Sequence, residues 1–227
     1  WKYRKSAEDA SKMIRLIRAR MTLRGFKDRD SGTLTTFAAT ASRTSQRIVV
    51  SAAAQRKWPM AALDVKKAFL KGITYKELAE QTQEPERNVN FELSPDAIEI
   101  LRLVPGFEDF DPAREVLHCT KPGTGCVDAP RCFALKLTKA TNEVWQATPS
   151  TIDDQLIMKH EPRNDRMELI FLAAKHVDDL KVAAPVTVIE SFLKALESVF
   201  GKGEIDITWN NFTCCGLTHK RLNDGSY

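Results

Sequence analysis

The sequence predicts an α+β protein in which a small antiparallel sheet packs on helices. Short apolar segments bounded by turn residues, such as 60–65 and 169–185, alternate with segments that have one apolar helical face. At 227 residues, 43% hydrophobic and 28% charged, the chain has the composition of a globular protein that buries a core. Nothing in the sequence marks a clean boundary, so we expect one domain over residues 1–227.

The first part of the chain contains one clear helix. Residues 6–24 fit either a helix or a strand, Gly25 marks a break, and residues 28–36 are typical of a loop. Residues 42–57 are predicted to be helical, and Pro59 prevents the helix from continuing. Its apolar face is made by Ile48, Val49, Ala52 and Ala53.

A short buried strand is predicted next, over residues 60–65, with an acid, Asp64, near its end. Residues 66–72 are expected to form a turn. Residues 73–117 are acidic, rich in proline and weakly periodic, so we expect an irregular connector with one short helix near 95–103.

A second helix is predicted from Asp128, which can cap it, with Pro130 in the first turn where its missing N–H costs nothing. Its apolar face is formed by Phe133, Leu137, Ala140 and Val144. Residues 152–159 are expected to form a strand, followed by a polar turn at 162–165.

The last helix is expected to start with a capping box at Thr187 and Glu190 and to stop at Gly201. Its buried face is predicted to consist of Ile189, Phe192, Leu193, Leu196 and Phe200. Residues 212–222 could add a strand or a hairpin.

Two adjacent carboxylates interrupt the most apolar stretch of the chain. The run from residue 169 stops at Asp178 and Asp179, a second apolar run follows, and Pro185 ends it, which predicts a β-hairpin with both acids at its turn. A plain Asp-Asp turn is one interpretation, because Asp favours turns. Asp64 supplies a third acid at a strand end. Three such carboxylates could hold the paired magnesium ions that catalyse phosphoryl transfer. A two-metal nuclease or nucleotidyl transferase would use the same set of residues.

Charge is distributed unevenly along the chain. Residues 1–29 carry ten Lys or Arg against three acids, a net +7, which leaves −3 for the remainder of a chain whose net charge is +4. This pattern favours a polyanionic partner such as a nucleic acid, although a solvated charged helix would have the same composition.

Several other classes of protein are not supported. Residues 121–125 lack the arrangement of a P-loop, and the five scattered cysteines, which form no C-x-x-C pair, favour reduced thiols in an intracellular protein over a zinc site. No apolar run approaches the roughly 20 residues that span a bilayer, and no signal-peptide core follows the N-terminus. The first residue is not Met, so we expect a piece of a longer polypeptide.

Five segments resemble motifs of one family. Residues 63–72 (LDVKKAFLKG) closely resemble the first catalytic motif of reverse transcriptases of the Ty1/copia retrotransposon type. Residues 18–27 (RARMTLRGFK) and 36–43 (TFAATASR) are similar to its fingers segment and its T-F-A-P-V-A stretch. Residues 125–133 (GCVDAPRCF) resemble its Y-G-L-K-Q-A-P-R-A-W motif, and 176–179 (HVDD) its Y-V-D-D. The ordered set covers nearly the entire chain.

This resemblance implies a palm-and-fingers polymerase, with residues 1–58 and 73–120 fingers-like and 59–72 and 121–227 palm-like. It implies an RNA-directed DNA polymerase that adds dNTPs to a DNA or tRNA primer on an RNA or DNA template, without a membrane. The thumb, RNase H and integrase segments of such a Pol polyprotein would lie outside this chain. A cytoplasmic particle or the nucleus is the location that the family implies.

The resemblance also assigns the metal site. Asp64 and Asp178 would bind both Mg²⁺ ions, for which Mn²⁺ could substitute, and Asp179 would have a lesser role nearby. The backbone carbonyl of Val65 would be a further ligand.

The same resemblance assigns nucleotide contacts. Phe69 falls where the family has the gate that excludes a ribose 2′-hydroxyl, and a plain core aromatic is the alternative. Arg18 or Arg20 would reach the triphosphate, unless they are solvated or bind the backbone of the nucleic acid. Gly125 and Pro130 would shape the floor under the template and the nucleotide base.

The chain departs from the family pattern in several places. His176 replaces the Tyr near the primer end. Thr124 and residues 126–128 replace the family's Y, L-K and Q. Residues 214–217 (CCGL) resemble the family's F-L-G-I only weakly. The acid at Asp128 is expected to weaken anion binding at the floor. A decayed or repurposed remnant that binds nucleic acid, or nothing, without polymerising is therefore the alternative, although the intact acid triad favours an active polymerase.

Overall fold

A computed structural model of the chain describes residues 2–5, 13–16 and 22–227. In these ranges the protein is a mixed α+β structure built on antiparallel sheets. The helices are α1 (Arg43–Arg56), α2 (Tyr75–Thr82), α3 (Pro95–Leu101), α4 (Ala129–Lys139) and α5 (Val186–Phe200). Two short 3₁₀ turns, Gly25–Lys27 and Ala68–Lys71, and a π-helical turn, Ala140–Val144, accompany them.

A six-stranded antiparallel sheet forms the centre of the described structure. Its strands are β3 (Met60–Val65), β6 (Thr148–Pro149), β7 (Leu156–Arg163), β8 (Arg166–His176), β9 (Asp179–Ala183) and β10 (Ile205–Trp209). They are arranged in the order β10-β3-β9-β8-β7-β6. Three two-stranded pairs lie outside it: β1 (Lys2–Lys5) with β2 (Met13–Leu16), β4 (Val89–Phe91) with β5 (Leu117–Cys119), and β11 (Asn211–Cys214) with β12 (Leu217–Lys220).

The two faces of this sheet are covered by different helices because strand side chains alternate between faces. Leu63 of β3 and Leu180 of β9 pack with α4 and α5 in the larger core cluster. Met60 and Ala183, on the opposite face of the same strands, pack with α1 and with Phe212 of β11 in a second cluster. Asp64, at an even position of β3 like Met60, therefore projects from the face that α1 covers.

The sequence patterns with strong periodicity predict the elements well. The helix over 42–57, the strand over 60–65 and the hairpin that ends at Pro185 are confirmed, with Ser42 capping α1 through a bond from the Ser45 N–H. The predicted short helix near 95–103 is α3, and the tail forms the β11–β12 hairpin. Gly201, at φ +104°, ends α5 as expected.

The connector over 73–117 is more ordered than predicted. Helix α2 begins at a capping box, in which the Thr74 hydroxyl accepts from the Glu77 N–H and the Glu77 carboxylate accepts from the Thr74 N–H at 2.7 Å. The pairing of β4 with β5 closes the connector on itself. Periodicity alone missed these short elements.

Helix α4 differs from its prediction at both ends. Asp128 occupies the N-cap position, but its side chain makes no capping bond. Phe133, Leu137 and Ala140 are buried as predicted, whereas Val144 is 48% exposed. The reason is the π-helical turn, where the Trp145 N–H donates to the carbonyl five residues earlier and the apolar face shifts from Val144 to Trp145.

The strand predicted at 152–159 starts later, at Leu156. Ile152 is exposed, and the Asp153 carboxylate accepts hydrogen bonds from the Ser42 N–H and the Gln155 N–H, which holds this part of the chain in a loop. The strands then continue to a two-residue turn at Asn164 and Asp165. Both turn residues have positive φ, as a type I′ hairpin requires.

The predicted capping box at Thr187 is wrong. The N-cap is Pro185, two residues before Thr187, and helix α5 begins at Val186, because the Pro185 carbonyl accepts from the N–H groups of Val188 and Ile189. Leu193 is half-buried, whereas the other four residues of the predicted face are buried. Of residues 6–24, the part within the described ranges includes β2, a strand paired with β1.

None of the helices in the described ranges combines the length and the apolarity that a bilayer-spanning helix requires.

Candidate site at the acidic end of the central sheet

Three carboxylates and one imidazole form a row across four neighbouring strands. Asp64 on β3 lies directly opposite Asp179 on β9 and, on its other side, opposite Asp206 on β10. Asp179 is in turn opposite His176 on β8. Residues directly opposite in antiparallel strands project from the same face. All four side chains therefore lie side by side on the sheet face that α1 covers.

The β8–β9 hairpin adds a fourth carboxylate. His176 pairs with Asp179, so the turn consists of only Val177 and Asp178. Val177 has φ +56°, a conformation that a β-branched residue rarely adopts and that costs about 1–3 kcal/mol. The tight turn holds Asp178 beside the row and leaves it half-buried.

These carboxylates repel one another. Burial raises the pKa of Asp64 above its ordinary value, and the negative charges of Asp178, Asp179 and Asp206 raise it further. Burial, followed by the charge of Asp178, raises the pKa of Asp179 in the same way. A cation near these side chains would relieve the repulsion.

One cation already lies at the β10 end of the row. The ammonium of Lys66 is 2.9 Å from an Asp206 carboxylate oxygen and also donates to the Gly203 carbonyl at 2.9 Å. This hydrogen bond with Asp206 raises the pKa of Lys66. Asp206 is thus partly neutralised, whereas the described salt bridges include none for Asp64 or Asp179.

The structure places Asp64 opposite Asp179, with Asp178 in the adjoining turn, and it adds Asp206, which sequence reasoning missed. A signal was present, because residues 205–209 (IDITW) alternate between apolar and polar side chains as a half-buried strand does. Val65 is the last residue of β3, with its side chain buried and its backbone opposite Ile205.

His176 lies at the β8 end of the row. Its Nδ1 atom is buried and has no hydrogen-bond partner among the described residues. Its backbone forms an isolated bridge with Thr40, which brings residues 40–41 to the same end of the sheet. His176 lowers the pKa of Asp179, acting against the neighbouring acids.

Phe69 lies in the 3₁₀ turn after β3, and its half-buried ring packs against the larger core cluster. This packing agrees with the alternative interpretation of a core aromatic.

Gly125 interlocks with the segment before the first 3₁₀ turn. The Leu23 N–H donates to the Thr124 carbonyl at 2.8 Å, and a Cβ on Gly125, which has φ +96°, would overlap the Leu23 carbonyl oxygen. A Cβ on Gly25 would likewise overlap the Gly125 carbonyl oxygen. Pro130 lies in the first turn of α4, as predicted. Of the two predicted floor residues, Gly125 thus lies at a close contact between two chain segments.

Asp128, which was expected to weaken anion binding at this floor, has a cationic partner. The buried Arg87 guanidinium bridges Asp128 and Asp28, the latter at 2.6 Å. It also lies over the ring of Tyr75. The Asp128 carboxylate therefore forms a buried ion pair, and Asp128 is only 1% exposed. Arg18 and Arg20, the predicted triphosphate contacts, lie outside the described residues.

The residues present suit a magnesium ion by the chemistry of their donors, since carboxylate oxygens are its preferred protein ligands. The carboxylates of Asp64, Asp178 and Asp179 and the Val65 carbonyl are the groups that could hold it. However, in the part of the chain that the structure describes, no group of three or more His, Cys, Asp or Glu residues converges closely enough to hold a metal ion. The acids lie along a row rather than around one point.

Comparisons of the chain with models of known protein families, with curated proteins and with solved structures gave no match in any of the three.

Proposed function

We propose that this chain is the RNA-directed DNA polymerase domain of a Ty1/copia-type retrotransposon, and that it adds dNTPs to a primer 3′ end on an RNA or DNA template. The observation that carries the proposal is the direct pairing of Asp64 with Asp179 on adjacent central strands, with Asp178 in the turn beside them. Sequence motifs separated by more than one hundred residues resemble one family, and their acids lie on adjacent strands at one end of one sheet.

The chemistry follows from this charge cluster. Two divalent ions, when bound, activate the attacking primer oxygen and stabilise the leaving group in phosphoryl transfer. Asp64 and Asp178 would hold Mg²⁺ or Mn²⁺, with the Val65 carbonyl as a further ligand and Asp179 in a lesser role. Burial and, after it, repulsion from the neighbouring acids raise the pKa of Asp64, and a cation at this position would relieve that repulsion.

The proposed fold is a reverse-transcriptase palm with fingers-like segments before and between its motifs. An antiparallel sheet with α4 and α5 on one face is consistent with a palm. Phe69 would crowd the ribose 2′-position, and Gly125 and Pro130 would lie under the base. Arg18 or Arg20 would contact the triphosphate, and His176 would lie near the primer end. Segments carrying RNase H and integrase would belong to the same polyprotein.

A non-polymerising remnant of this fold is the second candidate, and one observation favours it. The acids in the described ranges do not converge into a group of three around a single point. Such a protein would bind nucleic acid through the basic segment 1–29 without adding nucleotides.

Primer extension separates the two candidates. The chain is incubated with an oligo(dT) primer on poly(rA), dTTP and Mg²⁺ or Mn²⁺. Asp178→Asn is expected to lower incorporation by about a hundredfold or more, because it removes a charge at the reacting groups. Asp165→Asn is the matched control, since Asp165 also occupies a two-residue hairpin turn, and Asn tolerates its positive φ. Incorporation that is absent, or equal in the two variants, selects the remnant.

Metal binding provides an independent measurement. At a Mg²⁺ concentration about tenfold above Kd, the free energy of unfolding should rise by about 1.4 kcal/mol. Asp64→Asn should abolish this increase and Asp165→Asn should retain it. A Mg²⁺-dependent increase without incorporation would place the defect in the nucleotide or template contacts rather than in the acids.

A further inference from the structure

Two adjacent cysteines meet at the tip of the β11–β12 hairpin. Cys214 ends β11, and the turn is formed by Cys215 and Gly216, with φ +52° and +74°. The two Sγ atoms are 3.5 Å apart, and both thiols are free. Cys214 is buried against the α1 side of the sheet, whereas Cys215 is partly exposed.

An amide donor reaches Cys215. The Gln46 amide of α1 donates to its Sγ atom at 3.5 Å. Burial raises the pKa of the Cys214 thiol to about 12. Because Cys215 is partly exposed and Cys214 is buried, Cys215 is the thiol that a dissolved oxidant meets first, and Cys214 is the neighbour that resolves the product.

We propose that Cys214 and Cys215 form a redox-active dithiol that hydrogen peroxide converts to a disulfide between adjacent residues. The Cys215 sulfur attacks one peroxide oxygen, the O–O bond breaks, and a sulfenic acid and one water form. The Cys214 sulfur then attacks the sulfenic sulfur, the S–O bond breaks, and a second water leaves with the Cys214 proton. The two thiols lose two electrons in total, and the peroxide gains them.

Such a disulfide would be easily reversed. The Cα atoms of adjacent residues are about 3.8 Å apart, which is shorter than the separation of about 4.4–6.8 Å that disulfides usually span. A bond made under this constraint is strained and therefore easily reduced by a dithiol. We expect the pair to cycle between two states rather than to act as a permanent crosslink.

The other three cysteines provide the contrast. Cys119, Cys126 and Cys132 lie near Asp128, whose negative charge, together with burial, raises the pKa of each thiol. Burial is the larger cause for all three. Cys126 is partly buried, like Cys215, and is therefore a matched control for exposure.

The test is peroxide treatment of the whole chain, with thiols counted by iodoacetamide labelling and located by mass spectrometry. The wild type is expected to lose two of its five thiols, with a peptide that carries both Cys214 and Cys215 two hydrogens lighter, and to regain them with dithiothreitol. The Cys126→Ser variant should also lose two of its four remaining thiols, and these should again be Cys214 and Cys215. Cys215→Ser should form no disulfide at this site.

Folding of each variant is checked by circular dichroism. Peroxide that joins Cys119 to Cys126, or that oxidises Cys215 beyond the sulfenic acid while Cys214 stays available to iodoacetamide, would overturn the proposal.

Discussion

Asp64 on β3 and Asp206 on β10 are directly opposite each other across an antiparallel pair of strands. Like charges at such positions destabilise a sheet, yet Asp179 faces Asp64 from the other side as well. Strand β3 thus has a carboxylate with an acid on both neighbouring strands. This arrangement lowers the stability of the isolated fold at neutral pH.

Asp64→Asn should therefore stabilise the protein at neutral pH, by up to about 1 kcal/mol in the free energy of unfolding. The pKa of Asp64 in the folded protein lies above its ordinary value of 3.8, so the folded state holds a proton that the unfolded chain has released. The stability of the wild type consequently falls as the pH rises through this window. In urea unfolding, the difference in free energy of unfolding between the variant and the wild type should shrink towards zero below about pH 3.8.

A matched Asp165→Asn variant controls for the loss of one negative charge, since Asp165 lies in the exposed turn between β7 and β8. An Asp64→Asn protein that is less stable than the wild type at neutral pH would show that Asp64 makes a favourable interaction which outweighs the repulsion.

The Lys175→Met substitution should reduce the dependence of the free energy of unfolding on pH in the alkaline range. Lys175 is 2% exposed, its Nζ donates to the Thr138 hydroxyl at 3.1 Å, and burial lowers its pKa to about 8. Between about pH 8 and 10.5 the unfolded chain binds more protons at this position than the folded protein, so the wild type gains stability as the pH rises. The gain is on the order of 3 kcal/mol.

Denaturant unfolding at several alkaline pH values measures this difference. The variant should be more stable than the wild type near neutral pH, and the two should converge as the pH rises. Lys194→Met, on the exposed part of α5, controls for the removal of a lysine. Parallel profiles for wild type and Lys175→Met would contradict the prediction.

Arg87→Met should destabilise the protein by about 3–5 kcal/mol, because it leaves the buried Asp128 carboxylate without its cation. Combining it with Asp128→Leu should recover most of the loss. Arg131→Met is the comparison, since its partner Glu84 is 42% exposed and the pair should contribute at most about 1 kcal/mol. Equal losses for Arg87→Met and Arg131→Met, from chemical denaturation, would rule out a special cost of the buried pair.

Gly125→Ala should cost more than Gly106→Ala. Both glycines have φ near +90°, so the backbone strain of about 1–3 kcal/mol is shared. At Gly125 the added Cβ would overlap the Leu23 backbone, whereas no atom of the described residues lies within 4 Å of a Cβ at Gly106. The difference between the two free energies of unfolding therefore measures the contact of residues 22–25 with residues 123–126.

The sequence could predict elements whose signals are local. The strand ending near Asp64 and the hairpin carrying Asp178 were both recognisable because apolar runs stop at turn residues. Helix α2 was also predictable, since its capping box at Thr74 and Glu77 lies in four consecutive residues, but the proline-rich surroundings hid it. The start of α5 was misplaced because Pro185 provides the first carbonyl in place of the Thr187 cap.

The partners of the strands could not be predicted in the same way. That β10 lies beside β3 depends on pairing between Asp206 and Asp64, which are far apart in the chain, and no local pattern specifies such a pairing. The burial of Asp128 against Arg87 has the same origin, because the guanidinium comes from a different segment. Tertiary contacts, not propensities, place these charges.

The π-helical turn over Ala140–Val144 makes the spacing between α4 and the sheet intolerant of deletion. It directs Trp145 inward, where its ring lies 5.7 Å from that of Phe171 and 5.4 Å from that of Phe192. Removing one residue would restore α-helical winding and swing the indole by about 100° around the axis. The packing of the three aromatic rings therefore depends on the number of residues in this turn. An insertion at an exposed loop tip would be accommodated far more readily than the loss of a single residue here.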